Sequence, residues 1–216
     1  NEMLANNNQA QNPAFANPPE LGTGTNWLDE LFRTAPMQNY SLAYSAGSEK
    51  SHFYLSGSYL NQDGIVINNY YKRYTIQFNS DSKVFDWLKF GNNITFNHDI
   101  KASGSYDIRN AMAALPTQSV FNADGTYSGP VGQASWYGDI ANPVGKATLN
   151  NNTTNGYNIL GNINAEATII PELKFKTTLG AQAVFYDSKN WAPKYNWQPI
   201  PQPESYLAES YNKSLT

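Results

Sequence analysis

From residue 39 onward, apolar and polar side chains alternate in runs that are long for a soluble sheet. Alternation with period two sends successive side chains to opposite faces of a strand. Tyr40, Leu42, Tyr44 and Ala46 share one face, opposed by Ser41, Ala43 and Ser45. The same division recurs in five further runs, at 52–60, 71–80, 87–98, 156–169 and 172–186. In the third, Tyr74, Ile76 and Phe78 oppose Arg73, Thr75, Gln77 and Asn79. In the fourth, Leu88, Phe90, Ile94 and Phe96 oppose Lys89, Asn93, Thr95 and Asn97, and Asn92 alone breaks the pattern. Charges inside the runs fall on the polar face, apart from Glu172 at a turn and Lys72, His52 and His98 near run ends.

Two properties separate this pattern from a soluble antiparallel sandwich with one wet face. The runs extend over roughly nine to fourteen residues, whereas an ordinary strand has about five or six and a tilted membrane strand about nine to eleven. The connections also alternate. Gly47 to Lys50, Asp81 to Asp86 and Ile170 to Glu172 are short, whereas Asn61 to Tyr70, Asp99 to Asn155 and the segment after Asp187 are long. Outer-membrane barrels place tight turns at the periplasmic rim and long loops outside. Aromatics gather near run ends, at Tyr40, Tyr59, Tyr70, Tyr71, Trp87, Phe90 and Phe185, as interfacial girdles require.

The expected fold is therefore all-β, an antiparallel transmembrane β-barrel segment with long extracellular loops. Six strands do not close a membrane barrel, whose smallest form has about eight. Alternation resumes from Ser205 to Thr216, so about six or seven adjacent strands of a larger barrel are expected. The expected divisions are an extracellular loop with a short helix (1–38), four barrel strands (39–98), a long extracellular loop (99–155), two further strands (156–186), and a last extracellular loop leading into another strand (187–216). Within the first loop, Asn26 reads as the N-cap of a helix carrying Trp27, Leu28, Leu31 and Phe32, with Asp29 and Glu30 in its first turn. A second short helix is expected over Asp107 to Leu115, ended by Pro116.

Composition narrows the function. The chain has 14 Lys and Arg, none in a run, and a net charge of -3, which excludes nucleic acid as a partner. It has no Cys, hence neither disulfides nor thiolate metal sites. No stretch of 18 apolar residues exists to form a membrane helix, a test to which barrel strands are invisible. Neither a catalytic nor a metal-binding motif occurs, and no cofactor is expected. His52 and His98 read as polar residues near strand ends. Asn122, Asp124 and Gly125 lack the spacing of a calcium loop. Asp63-Gly64 and Asp124-Gly125 read as turns in which glycine allows positive φ.

A family resemblance rests on an ordered set of fragments. Arg33-Thr34-Ala35-Pro36-Met37-Gln38-Asn39-Tyr40 is followed by Gly47-Ser48-Glu49-Lys50, Asn61-Gln62-Asp63-Gly64-Ile65 and Tyr71-Lys72-Arg73-Tyr74 at hairpin spacing. Trp87-Leu88-Lys89-Phe90, Ala114-Leu115-Pro116, Asn122-Ala123-Asp124-Gly125 with Tyr127, and Leu160-Gly161-Asn162 come next. From about Gly22 to about Phe185 the chain resembles the barrel of SusC/RagA-class TonB-dependent transporters. The resemblance implies a 22-stranded barrel in the bacterial outer membrane, filled by an N-terminal plug, energised through TonB and capped by a SusD-like lipoprotein that captures oligosaccharides or peptides. No plug-like or TonB-box segment precedes the strands in this sequence, so the TonB contact is expected outside it.

Binding residues are expected in the loops. A sugar ring needs an apolar face to stack on and hydrogen-bond partners for its hydroxyls. Tyr127, Trp136 and Tyr137, set among Gly, Ser and Asn, and Trp191, Tyr195 and Trp197, set among prolines, have that character, although each ring is equally able to pack its own loop. Arg73, Lys89, Glu166, Lys174 and Lys176 are expected to face the lumen, where polar residues are the rule. A rival from another class is a soluble all-β carbohydrate-binding module. A third reading is a structural porin without energisation.

Overall fold

The computed structural model describes residues 5–7, 22–129, 140–197 and 201–216. Seven strands follow one another in a single antiparallel sheet: β1 (Met37–Gly47), β2 (Ser51–Asp63), β3 (Tyr70–Phe85), β4 (Leu88–Gly104), β5 (Asn151–Ile170), β6 (Leu173–Ala192) and β7 (Tyr206–Leu215). Each pairs with the next in sequence, and β1 and β7 form the two open edges.

The register gathers the apolar halves of all runs onto one face. Leu42 lies opposite Gly57, Gly57 opposite Ile76, Ile76 opposite Phe96, Phe96 opposite Ile159, and Ile159 opposite Ala183. Asn92, the misfit of its run, meets Ser80 across the ladder and donates to its hydroxyl at 2.7 Å. That bond pairs two of the polar groups on a mainly apolar surface. Nothing among the described residues covers this face: Leu42 is 81% and Leu179 70% exposed. A soluble sandwich would lay a second sheet there; a barrel wall leaves the face to lipid.

The apolar face has an upper edge. Tyr40, Tyr59, Tyr74, His98, Tyr157 and Phe185 stand in one cross-strand row. Neighbouring rings touch, with centroids 4.9 Å apart for Tyr59–Tyr74, 5.9 Å for Tyr74–His98 and 4.4 Å for His98–Tyr157. His98 thus takes an aromatic's place in the row, and its Nδ1 lies 3.1 Å from the Gly156 carbonyl. One step beyond, the same face carries Asn61, Lys72, Asn155 and Asp187. On β6 the stretch from Phe175 to Phe185 spans about 25 Å along a barrel axis, taking roughly 3.3 Å per residue and a tilt of about 40°. That equals the apolar band of outer-membrane barrels.

Several strands outrun their expected limits. β5 and β6 each have 20 residues, so 151–155 and 187–192 are strand where loop was expected, and β4 continues through 99–104. Asn151, Asn152, Thr153, Thr154 and Asn155 are polar on both faces, so alternation stops there, but register partners on β4 and β6 continue the pairing. At the opposite end the tight turns are staggered. The Lys83 N–H donates to the Lys50 carbonyl and the Thr168 N–H to the Trp87 carbonyl, each at 2.7 Å, so β3 and β5 run past the preceding turn. A barrel wall built from inclined strands needs such a stagger.

The buried core sits in the connections, at the far end from the tight turns. Helix α1 (Trp27–Leu31) inserts Trp27 and Leu31 against Val66, Ala111, Val120, Val144 and Ala147. Asn26 occupies the N-cap position of α1 as expected, but its side chain accepts from no helix N–H; its amide donates instead to Asp29 Oδ2 at 2.6 Å. Helix α2 (Ile108–Ala113) is capped by Asp107, which accepts from the Arg109 and Asn110 N–H groups, and it stops short of Pro116. Helix α3 (Pro143–Leu149) was not foreseen, although Asn142-Pro143 is an N-cap followed by proline at the first helical position. Trp27 Nε1 donates to the Leu115 carbonyl at 2.9 Å, so the first loop and the long loop are joined. Gly125 has φ +81° at its turn, as expected, but Gly64 does not have positive φ. A Cβ on Gly64 would lie 2.6 Å from Asn69 Cβ, so close approach demands glycine there.

Asn142 is fully buried and pins this core. Its amide donates to the Val120 carbonyl at 2.9 Å and the Ser128 carbonyl at 2.7 Å, and its Oδ1 accepts from the Gly145 N–H at 2.8 Å. Replacing Asn142 by Ala strands the Ser128 carbonyl and the Gly145 N–H, each costing about 1–3 kcal/mol, while the Val120 carbonyl keeps the Ser128 N–H. Amide hydrogen exchange of residues 120–128 and 143–149 in the detergent-folded whole protein is expected to accelerate by at least roughly 30-fold, about 2 kcal/mol of local stability. Amides in β2 and β3 serve as the unchanged reference.

Candidate functional site

The loop end of the sheet holds a cavity of about 600 Å³. Its wall is aromatic and amide in character: Tyr127, Tyr195 and Trp197 supply rings, and Asn122, Asn196 and Lys194 supply polar groups. Two short hairpins bring these residues together. In the first, Phe121 bridges to Tyr127 around the Asp124-Gly125 turn. Asp124 Oδ1 accepts from both the Thr126 N–H and its hydroxyl, at 2.9 and 2.6 Å, and these bonds hold the Asp124 carboxyl below the usual carboxylate range. In the second, Tyr195 and Gln202 exchange backbone hydrogen bonds at 2.9 and 2.8 Å.

The rings form a connected stack. Tyr195 lies nearly parallel to Trp197 at a centroid distance of 4.3 Å. Tyr127 meets Trp197 edge-on at 6.4 Å and packs on Phe121 at 4.9 Å. Offset and edge-on pairs of this kind are the favoured aromatic geometries. Trp197 is only 6% exposed, because the backbones of Gly129 and Gly145 form a slot for its indole. It therefore acts chiefly as the floor, while the half-buried Tyr127 and Tyr195 offer their rings to the cavity.

The expected binding residues are thus partly assembled. Tyr127 and Trp197 come together. Trp191 does not join them: it belongs to β6, not to a loop, and pairs with Leu207 of β7 on the apolar-face parity. Trp136 and Tyr137 lie outside the described residues. Tyr195, expected with Trp191 and Trp197, stacks on Trp197. Phe121 was not singled out in the sequence, because the isolated bridge between Phe121 and Tyr127 is too short for periodicity to reveal. Arg73, Lys89, Glu166, Lys174 and Lys176 share the polar face of the sheet. Lys174 reaches Glu166 at 3.7 Å, and the Arg73 guanidinium lies 5.2 Å from the centre of the Tyr71 ring.

The slot gives a direct test of the floor. A Cβ at Gly145 would collide with the far edge of the Trp197 indole, whereas one at Gly57 on the apolar face would meet nothing within 4 Å. Gly145→Val is expected to displace Trp197, at a cost of about 1–3 kcal/mol for overpacking. Tryptophan emission should shift to the red and iodide quenching should rise relative to Gly57→Ala.

No family model matches the chain. Curated relatives do. The chain is 34% identical over 149 residues to TonB-dependent receptor P26 of Formosa agariphila, a match covering 68% of this chain and 15% of that receptor. It is 34% identical over 167 residues to TonB-dependent receptor P3 of the same organism, covering 72% and 16%. TonB-dependent receptor SusC of Bacteroides thetaiotaomicron is 25% identical over 188 residues, covering 76% and 19%. The chain accordingly spans less than a fifth of the length of these relatives. Among solved structures, the RagAB peptide transporter superposes with a TM-score of 0.71 at 21% identity over 89% of this chain and 22% of its own. The RagAB importer in its open-open state gives 0.72 at 21% identity over 90% and 22%. A seven-stranded wall with a lipid face, staggered turns and these relatives define one class: the chain belongs to the SusC/RagA-class TonB-dependent receptors, as a section of their outer-membrane β-barrel.

Proposed function

We propose that the whole protein imports oligosaccharides across the outer membrane, with energy delivered through TonB and with a SusD-like surface lipoprotein as its partner. The observation that supports a saccharide is the cavity at the loop end, where Tyr127 and Tyr195 offer rings over the Trp197 floor and Asn122 and Asn196 offer amides. Stacked rings bind the C–H faces of a pyranose, and amides both donate to and accept from its hydroxyls. In this reading the polar face of the sheet lines the lumen, the described residues of the long connections that follow β4 and β6 lie outside the cell, and the tight turns lie in the periplasm. The barrel closes on strands outside this chain, and its lumen holds a plug, as in 22-stranded outer-membrane transporters. Binding and gating do the work, with no covalent step.

The decisive experiment uses the whole protein, purified in detergent. It is expected to migrate on SDS gels in a heat-modifiable form, and to bind oligosaccharides in preference to peptides of equal size by calorimetry. Tyr195→Ala should weaken that binding by about 1–2 kcal/mol, roughly 5- to 30-fold, through loss of one stacking face. A whole protein that is soluble and monomeric without detergent removes the barrel. Selective peptide binding that Tyr195→Ala leaves unchanged removes the saccharide reading.

A further inference from the structure

On the polar face, at the height of the upper aromatic row, two side chains lean together over a glycine. Arg73 of β3, Asp99 of β4, Gly156 of β5 and Tyr186 of β6 are successive register partners. Each is the chain neighbour of a member of the aromatic row, so it belongs to the opposite face of the sheet. A Cβ at Gly156 would lie 2.7 Å from Tyr186 Cε1 and 2.8 and 2.9 Å from the two Asp99 carboxylate oxygens. Gly156 is buried beneath them, whereas Tyr186 remains 41% exposed.

A ring laid over a strand glycine shields its backbone, and that accounts for Tyr186. It does not account for Asp99. Among the described residues its carboxylate has no hydrogen bond and no ion pair, although Arg73 lies directly across the ladder. Opposite charges at facing positions stabilise a sheet when they meet. Here the Arg73 guanidinium turns to the Tyr71 ring, 5.2 Å from its centre. Lys101, across from Tyr71 and one row further out, joins no ion pair among the described residues either. An acid and two bases thus keep their hydrogen-bonding capacity for a group in the lumen. Neighbouring donors and acceptors of this kind suit hydroxyls, which both donate and accept, better than a cargo of one charge. Tyr186 lies six residues inward of Ala192, the last residue of β6, which is about 20 Å along the strand. The aromatic cavity starts at Pro193, so the two places are separate, and this one lies between the cavity and the middle of the wall.

We propose that Asp99, Arg73 and Tyr186 form a second saccharide site, on the lumen wall, which receives a sugar ring after it leaves the loop-end cavity. Asp99 accepts from adjacent hydroxyls, Arg73 donates to a hydroxyl oxygen, and the exposed Tyr186 ring packs on the apolar C–H face. The proposal rests on the barrel and saccharide readings given above.

Carboxylate footprinting of the whole protein in detergent tests it. Carbodiimide couples glycine ethyl ester to accessible carboxylates, and mass spectrometry reads each position. The probe is whichever of cellohexaose, xylohexaose and mannohexaose binds most tightly by calorimetry. At saturation it is expected to slow labelling of Asp99 about tenfold, the occupancy effect of charge-assisted hydrogen bonds, and to leave Glu49 in the β1–β2 turn unchanged. The protection of Asp99 should persist in Tyr195→Ala, which weakens the outer site alone. In the isosteric Asp99→Asn variant, the sugar should no longer shield Tyr186 from nitration by tetranitromethane. An Asp99 that takes no label in the free protein is covered by the protein itself, and the site is refuted. Labelling that saturating sugar leaves unchanged refutes it too, with the loop-end cavity intact. So does equal protection by a hexapeptide, or Tyr186 shielding that survives Asp99→Asn. If none of the three sugars binds, the saccharide reading itself fails, and the second site falls with it.

Discussion

Hydrocarbon offers no partner to a backbone N–H or C=O, so a chain that crosses it must satisfy every such group within itself. For a chain with strand periodicity, the continuous antiparallel ladder is the solution. Here it runs unbroken from β1 to β7 in sequence order. Everything else depends on its register. A slip of one residue would turn Leu42, Ile76, Phe96 and Ile159 toward the polar face and Arg73, Lys89 and Lys176 toward lipid, so the bilayer enforces the pairing. The two bulges, at 83–85 and 168–170, fall beside the tight turns, where pairing is free to end.

The ladder explains why the sheet can lack an interior of its own. Its apolar face is complete only against lipid, and the small cluster around Trp27 and Leu31 serves a different purpose. That cluster organises the long connections, which would otherwise be polar chain without a core. Asn142 does with hydrogen bonds what Leu31 does with apolar contact: it holds the 120–128 hairpin against the start of α3. A fixed loop end in turn presents Tyr127 and Tyr195 over Trp197 in one geometry, which lowers the ordering cost of any ligand that stacks there.

The two faces therefore carry different work. The outward face is anonymous and needs only apolar bulk bordered by rings, and for that reason His98 is tolerated among tyrosines. The polar face is individual. Its amides, its tyrosines and the lysine row at the turn end do not repeat from strand to strand.

The sequence alone determined the class of fold, because period-two alternation in Tyr40–Ala46, Tyr74–Phe78 and Leu173–Phe185 has one stable outcome in a bilayer, and the resemblance of the turn motifs named the receptor class. It also determined which charges share a face, since parity within a strand is set by covalent geometry. Strand ends were not legible. Pairing in 151–155 and 187–192 depends on a partner strand, not on local hydropathy, and so Trp191 was read as a loop residue. The loop-end cavity was partly legible: aromatic composition marked Tyr127, Tyr195 and Trp197, but joining them and making Trp197 a floor required chain segments some seventy residues apart to meet. The glycine slot of Gly129 and Gly145 decided that geometry, because only backbone without Cβ leaves room for an indole, and no local pattern announces such a contact.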